Sequence, residues 1–87
     1  MRVLAFEDHY DIEAILVAGG VRTGDLVIEQ RWNSSDAVDW IRRFAPDVLL
    51  LDHFMPPKTG YDVLKSLLSS DAVRPTSCLL YTSPSPR

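Results

Sequence analysis

The sequence predicts an α/β fold built as a doubly wound parallel sheet, and three observations carry that expectation. Short apolar runs rich in β-branched residues alternate with segments whose apolar residues recur every three or four positions, which is a βαβα pattern. Val48-Leu49-Leu50-Leu51 has no polar alternation, as suits a central parallel strand covered on both faces. Acids close the first and third runs, Glu7-Asp8 and Asp52, at the strand ends where open parallel sheets gather their ligands.

Taken in chain order, Arg2 to Phe6 reads as the first strand. A helix from about Asp11 to Ala18 places Ile12, Ile15, Leu16 and Gly19 on one stripe, and Gly19-Gly20 can end it with a left-handed cap. Gly24-Asp25 marks a turn before the second strand, Leu26 to about Gln30. Ser34 or Ser35 is a natural N-cap for the next helix, whose buried stripe is Ala37, Ile41 and Phe44. Pro46 closes that segment and biases Ala45 toward extended geometry. The third strand then runs from Val48 to Asp52. A last helix, roughly Tyr61 to Leu68, turns Val63, Leu64, Leu67 and Leu68 inward, and Ser69-Ser70-Asp71 reads as its exit loop. Trp32 and Trp40 are expected to pack rather than to serve as stacking platforms.

A chain of 87 residues, 46% apolar and 24% charged, builds one small domain. No apolar run approaches the roughly 20 residues of a membrane-spanning helix, and acids follow Met1 too soon for a signal peptide, so a soluble cytoplasmic chain is expected. A net charge of -3 and a pI near 5.1 leave no clustered basic surface for direct nucleic-acid contact. Cys78 is the single cysteine, which rules out a disulfide framework and a thiolate metal cluster.

The right-handed crossover rule makes strands one and three plausible neighbours, which brings Glu7, Asp8 and Asp52 to one pocket. Converging carboxylates repel and call for a cation. All-oxygen donors beside a phosphate suit Mg²⁺, which keeps several waters and accepts one or two carboxylates. One carboxylate is then available as an in-line nucleophile toward a phosphoryl group. Each acid alone reads equally well as a turn former or helix cap; their conjunction carries the argument.

Leu50-Leu51-Asp52-His53-Phe54-Met55-Pro56-Pro57-Lys58-Thr59-Gly60 resembles the phosphorylation segment of response-regulator receiver domains, in which an apolar strand and the acceptor Asp are followed by Met-Pro and a Gly that closes the loop. Met55, Pro56 and Gly60 stand three, four and eight places after Asp52, as in that family, and Asn33-Ser34-Ser35-Asp36-Ala37 is similar to its turn into the second helix. The resemblance spans Arg2 to about Thr76. It implies a flavodoxin-like sheet of order 2-1-3-4-5, of which this chain natively holds the first three βα units. It further implies phosphorylation of Asp52, Mg²⁺ held directly by Asp8 and Asp52, through water by Glu7, and by the backbone carbonyl of Phe54. Lys58 and Thr59 depart from the commoner apolar-acid pair of that loop. His9 and His53 have no counterpart role and read as surface residues, whereas the bulky Phe54 is expected to shield the acyl phosphate from water.

Cys78-Leu79-Leu80-Tyr81-Thr82-Ser83-Pro84-Ser85-Pro86-Arg87 is similar to the in-frame translation of a transposase-type sequencing adapter, and every codon matches. Residues 1–77 are accordingly expected to be a partial receiver domain and 78–87 a non-native tail. Cys78 to Ser83 nonetheless mimics an apolar fourth strand, with Thr82 near the place of the family's phosphate-binding Thr. The β5 lysine and the final helix of the family have no counterpart here. An outer strand beside apolar surface then invites aggregation.

The function implied is a phosphoacceptor module of a two-component phosphorelay rather than an enzyme. Its partners would be a sensor histidine kinase or a histidine phosphotransfer protein, with an output domain lying outside this segment. A haloacid dehalogenase-like phosphohydrolase also places an Asp after an apolar strand, but wants a second Asp where Phe54 stands. A degenerate receiver that only binds partners is the third reading.

Overall fold

The structure, a computed structural model, describes residues 1–69 and 77–81. Seven elements alternate along the chain: β1 (Arg2–Phe6), α1 (Ile12–Ala18), β2 (Val27–Arg31), α2 (Ala37–Phe44), β3 (Val48–Asp52), α3 (Gly60–Leu68) and β4 (Ser77–Tyr81). All strand pairs are parallel and the order is β2-β1-β3-β4. This is the flavodoxin-like order as far as the described residues reach. The register Phe6↔Leu51 sets the ends of β1 and β3 side by side, so the residues that follow each strand emerge together.

Strand alternation divides the apolar residues between two faces. Leu4, Phe6, Leu49 and Leu51 point to one face and form a fully buried core with Ala37 and Ile41 of α2 and Val63 and Leu67 of α3, sealed at its edge by Trp40, Phe44 and Leu64. Val3, Ala5 and Leu50 point to the other, where α1 lies. A groove of about 550 Å³ is open there between Tyr10, Ile12, Ile15, Leu16, Leu50 and Leu79.

Local chemistry explains the helix starts. Asp11 caps α1 by accepting from Ala14 N at 3.1 Å, and Thr59 caps α3 by accepting from Asp62 N at 3.1 Å. Gly20, at φ 84°, supplies the left-handed residue after α1, where the missing Cβ removes the steric cost. The N-terminus of β1 is pinned by Arg2, whose Nε donates to Phe44 O at 2.7 Å while its guanidinium covers the Phe44 ring at 4.0 Å.

Several expectations need correction. The N-cap of α2 is Asp36, in a left-handed conformation with no side-chain cap bond, rather than Ser34 or Ser35. Ser34 is drawn instead into the loop after β3, because its hydroxyl finds backbone partners there. Ala45 before Pro46 is left-handed, not extended, since its N–H closes the α2 terminus on Ile41 O. Strand β2 starts and ends one residue later than its apolar run suggests, because its pairing register with β1 carries it to Arg31. Ile15 and Leu68 of the two predicted stripes are exposed, as is Trp32, while Trp40 packs on the core under the Arg31 guanidinium at 4.0 Å. Finally, Ser77–Tyr81 adds a fourth strand beyond the three βα units expected. An apolar run flanked by an open parallel edge pairs with it whatever the origin of its codons. Thr82, with Ser70 and Asp71 of the expected exit loop, lies outside the described residues.

Candidate functional site

The carboxyl ends of β1 and β3 present Glu7, Asp8 and Asp52, each with a carboxylate oxygen within 4.8 Å of the others'. Glu7 and Asp52 are buried and Asp8 is half-buried. The three acids predicted from the strand ends are therefore brought together. Three carboxylates this close, two of them out of water, are strongly unfavourable unless a cation compensates them. The cluster contains neither thiolate nor imidazole, so its donor chemistry fits a hard divalent ion such as Mg²⁺.

Backbone amides aim these side chains. Phe54 N donates to Asp52 Oδ1 at 3.1 Å, which turns the carboxylate back over the start of its own loop. His9 N donates to Glu7 Oε2 at 2.8 Å, and Glu7 N in turn donates to Arg31 O at 3.0 Å, extending the β1–β2 ladder past the last strand residue. The Phe54 ring is half exposed beside this pocket, edge-on to His53 with centroids 5.0 Å apart. His9 packs edge-on against Tyr10 at 4.5 Å, on the rim rather than among the acids.

The three loop-shaping residues have separate jobs. Met55 turns inward and is 2% exposed within the core, anchoring the loop after β3. Pro56 leaves the core, and its carbonyl accepts from Ser34 N at 2.9 Å; the Pro56–Pro57 peptide is cis. Gly60 opens α3 in a buried position, its N–H donating to His53 O at 3.0 Å, which returns the chain to the end of β3. Two residues that sequence reasoning did not single out for the site also bear on it. Gln30 bonds the 7–12 segment and Ser34 bonds the 55–58 segment.

No protein-family model matches the sequence, and no curated protein is similar to it in sequence. Solved structures are similar in fold. The signal receiver domain assigned to a Luxo repressor protein of Vibrio parahaemolyticus superposes with a TM-score of 0.73 at 32% identity, covering 98% of this chain. The N-terminal domain of a response regulator receiver protein from Methanoculleus marisnigri superposes at 0.68 with 23% identity, covering 91% of this chain. The strand order, the placement of the acids and these neighbours class the chain with response-regulator receiver domains. It corresponds to part of one, spanning 63% of the length of each neighbour.

Proposed function

We propose that this chain is the phosphoacceptor portion of a receiver module in a two-component phosphorelay, with Asp52 as the acceptor. The observation that supports this most directly is the convergence of Glu7, Asp8 and Asp52 within 4.8 Å at the ends of adjacent central strands. A histidine kinase or a histidine phosphotransfer protein is the donor, and a Asp52 carboxylate oxygen attacks phosphorus in line with the breaking P–N bond. An acyl phosphate forms, and the imidazole leaves with the electron pair and takes up a proton. The Phe54 amide fixes Oδ1 and so orients the nucleophile before the donor arrives. Mg²⁺ would be held by Asp8, Asp52 and the Phe54 carbonyl, with Glu7 acting through water, and would supply charge neutralisation for the transferring group.

In this reading the product is a signal passed to an output outside this segment, not a released compound, so the module is not an enzyme. It works in the cytoplasm and makes no direct nucleic-acid contact. Residues 1–77 are its receiver part and 78–87 a non-native tail, which sequencing the source locus past the codon for Thr76 tests directly.

Incubation with a phosphoramidate donor and Mg²⁺ is expected to label the chain once, at Asp52, and Asp52→Asn is expected to abolish labelling. Continuous release of phosphate from an ester would instead make the chain a hydrolase, and no labelling at all would leave a binding module. Once formed, the acyl phosphate is expected to decay faster in Phe54→Ala and Phe54→Asn, because the half-exposed ring screens the site from water. Equal or slower release in both variants removes the ring from that role.

A further inference from the structure

We propose that Gln30 and Ser34, four residues apart on β2 and the turn after it, are positioning residues that clasp the two halves of the carboxylate site. The inference rests on the receiver reading above. All the ligand positions in that reading lie on two loops: Glu7 and Asp8 lead from β1 toward α1, and Asp52 and Phe54 lead from β3 toward α3. Neither loop is held by strand pairing beyond its first residue, and each is gripped by one of these two side chains.

Gln30 pairs in register with Ala5, and its side chain reaches past the end of β1. Its Nε2 donates to Glu7 O at 2.9 Å and to Tyr10 O at 2.7 Å, and its Oε1 accepts from Ile12 N at 2.9 Å. Both amide hydrogens and an oxygen lone pair are used. The orientation is unambiguous, because a reversed amide would set its oxygen against two carbonyls and its nitrogen against an N–H. Ile12 N is one of the first-turn donors that a helix cannot satisfy within itself. A single side chain thus ties the backbone of an acid, the middle of the loop and the start of α1 into one unit.

Ser34 plays the matching part for the other loop. It is 1% exposed, and its Oγ accepts from Lys58 N at 2.6 Å and donates to Lys58 O at 2.8 Å, with Met55 O at 3.3 Å as a longer alternative acceptor. Its own N–H donates to Pro56 O at 2.9 Å. The loop that begins at Asp52 and carries Phe54 is therefore fastened at 55, 56 and 58. Neighbours of this kind, one step removed from a metal, orient the ligands that touch it.

Calorimetric titration of the 87-residue chain with MgCl₂, paired with a thermal midpoint for each variant, tests the inference. Ser34→Ala and Gln30→Met are each expected to weaken Mg²⁺ binding about tenfold at temperatures where the chain stays folded. Ser34→Thr keeps the hydroxyl and is expected to restore the affinity. A purely structural role lowers the midpoint and leaves the affinity of folded molecules unaltered, and that result overturns the proposal. So does equal loss in Ser34→Ala and Ser34→Thr. If Ser34→Ala does not fold, Gln30→Met decides, because Gln30 is only half-buried. An unaltered chain that binds no Mg²⁺ defeats the receiver reading itself, whereas an unaltered chain and variants that bind alike defeat only the clasp.

Discussion

The two faces of the sheet are built from the same strands and end up in different states. On the face shared with α2 and α3, Leu4, Leu49, Leu51 and Ile41 have no exposed surface. On the face shared with α1, Ile15 is 49% and Leu79 57% exposed, and the groove between them is lined almost wholly by carbon. Two helices of eight and nine residues close the first face, whereas α1 has only seven and reaches β1 far better than β3. The contrast teaches that closure of a central strand depends on neighbours on both sides. A strand such as β3, apolar throughout, needs two covers, and here it has one and part of another.

Truncation of a core side chain is the most severe way to break this comparison. Leu49→Ala removes a side chain from a site with no room to collapse and is expected to cost about 2–5 kcal/mol, a large fraction of the stability of so small a domain. Ile15→Ala, on the open face, should shift the urea midpoint by an amount near the error of the measurement. Equal losses would mean the groove is closed in solution. A second contrast concerns surface rather than stability. An apolar fluorescent dye is expected to bind the chain at the groove, so Leu79→Lys should reduce the signal and leave the thermal midpoint unchanged. A dye signal that survives this change would place the apolar surface elsewhere. The smallest effect expected lies at the end of α2 on the closed face. Ala45 holds φ at 50°, where a Cβ is costly, and Ala45→Gly should stabilise the fold by about 0.5 kcal/mol, after allowing for the greater freedom glycine gains on unfolding.

These contrasts also explain what was legible in the sequence. Strands β1 and β3 were readable to the residue because their apolar runs are bounded by acids and by Pro46. The carboxylate site followed from them, since a strand end is a one-dimensional landmark and two adjacent parallel strands bring two such landmarks together. Helix stripes were less certain guides: Ile12 is buried but Ile15 is not, because periodicity says which residues share a face and not whether anything covers that face. Ser34 was misassigned for a related reason. A serine before a helix caps it when its φ and ψ permit, but the same hydroxyl can reach a loop that is distant in sequence, and only the folded chain decides between the two. Gln30 carries no pattern at all, being one polar residue in an outer strand. The fourth strand was visible as an apolar run, yet the resemblance of its codons to an adapter spoke about origin and not about pairing.

The two outer strands of the described sheet differ as strongly as its faces do. Strand β2 reads Val-Ile-Glu-Gln-Arg, with charges at Glu29 and Arg31, whereas β4 reads Ser-Cys-Leu-Leu-Tyr and has none. Charged side chains on an outer strand discourage a further chain from docking on its backbone, and their absence does the reverse. The sheet therefore has a preferred direction of growth. An incoming extended segment is templated at β4, parallel and in register with its apolar run, while the β2 border stays terminal. The chemistry at the strand ends is thereby kept near the guarded border, and any extension of the sheet proceeds away from it.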